Sequence, residues 1–318
     1  MSANSAVEPG RAVRERISPP TRAPKKRLPP KIAGRSMVGL VWAGPALVAY
    51  AVFVVYPFTQ TVRYSLYDWD GFGSARFVGI ENYRRVLTDP QLAGSIGHAF
   101  VLIVFFTVIP VGVGLLCAAA LSRVDRGPVG GLARAVLIVP QILPLVGAAI
   151  AWTWAYSSEG AINQLLRAVG LGGLARPWLA DFDLALPAVG LIGTWVSLGF
   201  CTVLLLSGVG RIDKSLFEAA RLDGAGHFRE LTTVLIPGVR REITVCVTVT
   251  VIAALASFDI VYVSTGGGPG TETMVPGVEI YRLTFLSQQV GQASALGVAL
   301  TVLVLAVVLP LQWLGRER

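Results

Sequence analysis

Six long stretches of this 318-residue chain carry almost no charge, and they constrain the fold more than any other feature. They run at about 37–58, 99–121, 135–157, 184–210, 243–263 and 293–314. At about 1.5 Å rise per residue, each is long enough to cross a hydrocarbon layer about 30 Å thick. With 53% hydrophobic and only 14% charged residues, the chain has an apolar solvent to satisfy, since soluble domains carry about 25% charge. The predicted fold class is an all-α integral membrane protein of six transmembrane helices. The fifth run is the one interrupted by a charge, Asp259.

The distribution of the +8 net charge excludes a nucleic-acid reading and sets an orientation. With the N-terminus cytoplasmic, 20 of the 27 Lys/Arg fall inside and 7 outside. Such a split predicts a multi-pass protein with both termini in the cytoplasm. Residues 1–36 combine basic charge with repeated prolines and predict a disordered basic cytoplasmic tail. The apolar run behind it is too long for the core of a cleaved signal peptide. Cys117, Cys201 and Cys246 lie in apolar runs and read as small buried hydrophobes. His98 and His227 have no Cys or His neighbours, so no metal site is expected. Pro45, Pro110, Pro140 and Pro144 predict kinked spans, and Gln141 sets an amide between two of those prolines.

Between the fourth and fifth runs stands a charged island, residues 211–241. It reads as a helix, a glycine turn and a second helix, ending in Val234-Leu235-Ile236-Pro237. Asp213 or Ser215 can cap the first helix, Gly224 and Gly226 supply positive φ, and Pro237 stops the second helix. The charge rule places this island in the cytoplasm. No phosphate-binding loop, zinc-protease motif or nucleophile elbow occurs anywhere in the chain. The chain is therefore expected to be no enzyme and to bind no cofactor, and its island reads as a docking element driven from outside. Asp259 is a functional candidate because a lone buried carboxylate is costly. The alternative, that it bonds the backbone of the Thr265-Gly266-Gly267-Gly268-Pro269 turn, is the one preferred from the sequence.

The island resembles the E-A-A-x₃-G-x₉-I-x-L-P signature of permease subunits of bacterial binding-protein-dependent ABC importers. Glu218-Ala219-Ala220, Gly224 and Pro237 match, while Val234 and Ile236 stand at the two aliphatic positions. Three further stretches look like the carbohydrate-uptake branch, the maltose and glycerol-phosphate type. They are Phe77-Val78-Gly79-Ile80-Glu81-Asn82-Tyr83, then Phe258-Asp259 through Gly267-Gly268-Pro269, and Tyr281 onward through Gly291-Gln292-Ala293-Ser294-Ala295. The resemblance covers the chain from about residue 37, which it implies is one transmembrane domain of the bacterial inner membrane. It also implies a second permease subunit, two ATPase subunits that hold ATP and Mg, and an extracytoplasmic solute-binding protein. Glu218, Ala219, Ala220, Asp223, Gly224 and Pro237 would form the ATPase-coupling element, with Glu218 facing a basic residue of the ATPase.

By the same resemblance, solute contacts come from the third, fourth and fifth spans. The matching positions are Gln141 and Leu145, then Gly193, Val196, Ser197 and Phe200, then Thr250, Ala253, Ala254 and Ser257. Phe200 can stack on a sugar face, and Gln141, Ser197, Thr250 and Ser257 can bond hydroxyls; simple helix packing by small residues is the alternative. Asp259, Gly267, Gly268 and Pro269 read as a structural turn. The absence of Lys or Arg inside the spans tilts the expectation from a polyol phosphate or osmolyte toward neutral sugars. An ion-coupled secondary transporter would want titratable groups at mid-membrane, and Asp259 lies near the rim.

Overall fold

The computed structural model describes residues 34–123 and 127–316, so the predicted tail lies outside the described residues except for 34–36, which are already helical. The described residues up to Phe53 and those from Val54 onward fall into two compact units. The first contains helix α1 (Gly34–Tyr50). The second begins with α2 (Tyr56–Tyr64), a two-residue hairpin of β1 (Tyr67–Asp68) and β2 (Arg76–Phe77), and α3 (Glu81–Thr88). The hairpin is tied down by Asn82, whose Nδ2 donates to the carbonyls of Ser65 and Tyr67 at 2.9 and 2.8 Å. Tyr83 joins through its hydroxyl, 2.6 Å from that of Ser65. These two residues are why the Asn-Tyr pair matters in that loop.

The membrane body follows: α4 (Pro90–Ile103), α5 (Ile109–Arg123), α6 (Pro128–Ile142), α7 (Leu145–Ala155), then, after a short α8 (Ala161–Ala168), the long α9 (Ala185–Val209). After the island come α13 (Arg240–Leu255), α14 (Asp259–Ser264), α15 (Pro276–Tyr281) and α16 (Val290–Arg316); α10 to α12 belong to the island and are described below. Buried Asn163 of α8 closes the loop ahead of α9. Its amide donates to the Ser157 and Arg176 carbonyls and accepts from the Trp178 indole and the Arg176 N–H.

Among the described residues, four stretches are helical and apolar enough to cross a membrane: Trp42–Tyr64, Pro90–Ser122, Ala185–Val209 and Val290–Trp313. A fifth is a pair, Gly130–Ile142 and Leu145–Ala155, bent by 103°. Two of the six expected spans are broken rather than only kinked. In the third segment the chain breaks at Leu143 and Pro144, because Pro144 disfavours a helical Leu143, which is extended at φ −71°, ψ 137°. In the fifth, α13 ends at Leu255, residues 256–258 leave the helix, and Asp259 opens a new short helix. Breaking the span relieves what a continuous one would require, a carboxylate packed against apolar neighbours through its length.

Three prolines, Pro57, Pro110 and Pro237, are accommodated by a widened turn, whereas Pro45, Pro140 and Pro310 lie within α-helix. Three π-helical turns, Ala51–Val55, Val104–Val108 and Leu231–Leu235, each end two residues before a proline: Pro57, Pro110 and Pro237. A proline lacks the N–H for the carbonyl four residues back and its ring crowds that carbonyl; the wider turn moves the carbonyl aside.

Helix α9 is the centre of the body and packs on α5, α6 and α13. One core cluster joins Leu102, Phe106, Val189, Ile192, Ala254, Val261 and Val278. A second, at the island's end of the bundle, joins Leu115, Ala118, Cys201, Leu205, Val209, Leu235, Val239 and Cys246. The approach of α6 to α9 is close enough that a Cβ on Gly199 would overlap the Leu137 carbonyl oxygen.

Candidate functional site

The island is built by short-range rules. Helix α10 (Lys214–Leu222) starts at Asp213, whose Oδ1 accepts from the Ser215 N–H at 2.9 Å. That bond to the Ser215 backbone holds the Asp213 carboxyl below its ordinary value, so the cap is complete above the usual carboxylate range and is lost only as acid protonates it. The helix ends in a Schellman motif. Gly224 N–H bonds the Arg221 carbonyl at 3.0 Å, and Ala225 N–H reaches back to the Ala220 carbonyl at 2.9 Å. This geometry needs a left-handed residue after the cap Asp223, and Gly224 supplies it at φ 79°. The spacing from Ala220 to Gly224 in the signature is therefore the spacing of a helix stop.

Two expectations about the island are corrected. Gly226 has φ −72° and serves as the extended residue ahead of α11 (His227–Glu230), because one left-handed residue completes the turn. Pro237 does not stop the second helix. It sits in the first turn of α12 (Ile236–Gly238), where its missing N–H has no partner to lose, and the chain leaves the helix at Val239.

Two faces of the island differ. Phe217, Leu231, Ile236 and Ile212 pack onto the cluster that joins α5, α9 and α13. On the other side Glu218 and Ala219 are exposed, Leu216 is 55% exposed, Leu222 89% and Phe228 78%. Ala220 is half-buried, and Asp223 is exposed. The island is braced by Arg221, whose Nη2 lies 3.1 Å from Oε1 of the buried Glu230. Between α10 and the ends of α5, α6 and α9 lies a cleft of about 1770 Å³, reached by Arg134, Lys214, Glu218, Arg221, His227 and Phe228.

The residues expected along a solute path separate into three groups. Gln141 is exposed one turn beyond the Leu137 contact, Ser197 is half-buried two residues before Gly199, and Ser257 is buried in the break after α13. Their side chains have no hydrogen-bond partner among the described residues. A second group is packed. Thr250 is buried and donates to the Cys246 carbonyl at 2.8 Å, Ala254 is wholly buried, Val196 is buried, and Gly193 lies against Phe106. Phe200 packs with the α5, α9 and α13 cluster. Leu145 and Ala253 are exposed.

The turn at 265–273 is closed without Asp259. The Thr265 and Thr273 hydroxyls are 2.7 Å apart, and the Thr273 hydroxyl donates to the Gly268 carbonyl at 2.8 Å. The N–H of Thr273 bonds the Gly267 carbonyl at 3.2 Å, and Pro269 accepts from the N–H of Glu272. Asp259 is exposed and has no hydrogen bond among the described residues. Beside it runs an aromatic row that the sequence reading missed. Phe258 stacks on Tyr262 at 5.0 Å, Tyr262 meets Tyr281 edge-on at 5.0 Å, and Tyr281 meets Phe285 at 5.2 Å. Tyr262 is 40% exposed and Phe285 70%. The signal in the sequence was two aromatic pairs at helical i, i+4 spacing.

Comparison with known proteins bears on this arrangement. Residues 110–316 match the family described as the binding-protein-dependent transport system inner membrane component. A probable ABC transporter permease, YurN of Bacillus subtilis, is 32% identical over 82% of this chain and 90% of its own length. The sulfoquinovosyl glycerol permease SmoG of Agrobacterium fabrum is 32% identical, covering 86% of this chain and 89% of its own. The trehalose/maltose permease MalF of Thermococcus litoralis is 31% identical, covering 88% and 94%. Among solved structures, a chain of a bacterial ABC transporter that imports the acidic polysaccharide alginate superposes with TM-score 0.73 at 20% identity, over 89% of this chain and 96% of that one. That likeness establishes a shared fold. The chain belongs to the inner-membrane permease family of binding-protein-dependent ABC transport systems.

Proposed function

We propose that this chain is one of two permease subunits of an ATP-driven importer of neutral carbohydrate, with both termini and the island in the cytoplasm. ATP and Mg are held by two ATPase subunits, and α10 docks into one of them through Glu218 and the exposed Leu216 and Leu222. The observation that carries the reading is the two-faced island: one side is anchored into the core joining α5, α9 and α13, and the other presents apolar residues that remain exposed among the described residues. Closure of the ATPases would drive α10 and rock the spans as rigid bodies. An extracytoplasmic binding protein would deliver solute to the opposite end.

At that end the solute would meet the aromatic row and Asp259. Stacked rings present flat apolar faces to the C–H face of a sugar, and an unpaired carboxylate accepts from hydroxyls. Gln141, Ser197 and Ser257 extend the path toward the break in α13, while Thr250, Ala254 and Phe200 act by packing. Neutral solutes are favoured because the spans carry no cation in their interior to balance a phosphate. The names of relatives support carbohydrate, since trehalose/maltose, sulfoquinovosyl glycerol and diacetylchitobiose permeases are among them. A glycerol-phosphate permease and one for osmoprotective compounds are also related, which sustains a polyol phosphate or osmolyte as the second reading.

Uptake by the assembled complex in proteoliposomes, measured against a panel of sugars, polyol phosphates and osmolytes, tests both readings. Neutral sugar uptake is expected, and Tyr262→Ala raises its KM about tenfold, as loss of about 1.4 kcal/mol of ring contact requires. Exclusive uptake of a phosphorylated solute contradicts the carbohydrate reading. An unchanged KM in the Tyr262 variant removes the aromatic row from the path.

A further inference from the structure

The island is closed at its base by an ion pair that joins the two spans it leaves and enters. Arg211 lies in the turn after α9, where its N–H bonds the Gly208 carbonyl at 3.0 Å. Glu242 lies in the first turn of α13, with its side chain only 9% exposed. Arg211 Nη2 donates to Glu242 Oε1, and no other partner of that carboxylate occurs among the described residues. The carboxylate is seated against α9 itself. A Cβ on Gly208 would stand 2.8 Å from Glu242 Cδ and 2.9 Å from its Cγ, so the absence of a side chain there is what admits the group. Ile212 packs on Gly238 beside it.

We propose that Arg211 and Glu242 form a strut that makes the ends of α9 and α13 a single body, so that displacement of α10 reaches both spans together. Both are positioning residues for coupling, and the inference rests on the reading of α10 as the ATPase-docking helix. Only one partner of this pair is buried, the Arg211 side chain being 68% exposed. An ion pair of this kind is a poor source of net stability, since desolvation of the carboxylate offsets much of the Coulomb attraction; its best-attested use is to fix register. The apolar contacts here supply packing, and the charged contact adds direction to it. The contacts of Leu235, Val239 and Leu205 are non-directional, whereas the charge-assisted hydrogen bond from Arg211 Nη2 to Glu242 Oε1 has a defined direction and length. Without it, a push on α10 can be taken up by slippage between α9 and α13 while ATP hydrolysis continues.

The test is the number of solute molecules imported per ATP hydrolysed by the reconstituted complex, measured with melting temperature for Arg211→Gln, Glu242→Gln and the double variant. Arg211→Gln leaves a buried carboxylate without its partner and lowers Tm; adding Glu242→Gln removes that charge and restores Tm. The strut predicts that the import ratio stays low in the double variant, about 2- to 30-fold below wild type, although its Tm has recovered. A merely structural pair predicts that the ratio recovers with Tm, and that result overturns the proposal. Gly208→Ala, which displaces the carboxylate without changing charge, is expected to lower the ratio as well; a wild-type ratio there counts against the strut. Glu218→Lys run in parallel separates the two layers. A wild-type ratio in Glu218→Lys defeats the docking reading, whereas a low ratio there with normal ratios in the strut variants defeats the strut alone.

Discussion

Glu218→Lys is expected to abolish solute uptake while leaving the permease folded and in the membrane. Glu218 is exposed on α10 and outside the core cluster, so the substitution leaves the packing among the described residues in place. Helix propensity also changes little between Glu and Lys. The effect lies in docking. If a basic group of the ATPase faces Glu218, reversal places like charges together, and loss of a buried charged contact costs about 2–5 kcal/mol. That is about 30- to several-thousand-fold in affinity. Uptake by cells carrying the variant should therefore fall to background, with the variant present in the membrane at wild-type level. Glu218→Gln should be milder, because it removes the attraction without adding repulsion. Wild-type uptake by Glu218→Lys contradicts a docking role for α10.

The second large effect is expected at Gly199. A methyl there overlaps the Leu137 carbonyl, which is backbone and cannot rotate away, so α6 and α9 must separate. Overpacking of this kind costs about 1–3 kcal/mol in a well-packed core, and here the neighbour has no freedom to give. Gly199→Val should lose most of the folded permease from the membrane, read as loss of the monodisperse species in detergent. Gly94→Val provides the control, because a Cβ at Gly94 meets nothing within 4 Å. Normal yield and monodispersity for Gly199→Val would show that the α6–α9 crossing is looser than described.

The helical membrane class and the position of the island were legible because both are set locally. Uncharged length marks a span, and the Ala220-to-Gly224 spacing encodes a Schellman stop whatever the tertiary context. The two broken segments were not. A proline such as Pro144 reads equally as a kink or a break, and the outcome depends on whether neighbouring helices satisfy the freed carbonyls. Pro110 is absorbed by a π turn, while Leu143–Pro144 turns the chain by 103°. Likewise, Gly224 and Gly226 are indistinguishable by type, and only the bond from Ala225 to Ala220 decides which adopts the left-handed form. Within the candidate path, Thr250 looked available because a hydroxyl is polar; in a helix it is satisfied by the carbonyl four residues back. Asp259 was assigned to the turn beside it, yet Thr265 and Thr273 already close that turn. The aromatic row escaped notice because its halves, 258 and 262 against 281 and 285, are brought together only by the intervening loop.

The claim that the island receives the work of ATP hydrolysis is tested most directly at Leu222. Its side chain is 89% exposed on the outer face of α10, so a photo-crosslinking amino acid there is tolerated by the fold. The same probe at Leu87, 76% exposed on α3, serves as the comparison. Irradiation of the assembled complex is expected to join position 222 to the ATPase subunit, identified by mass spectrometry, and to leave position 87 unlinked to it. A complex in which position 87 captures the ATPase and position 222 does not would contradict the account.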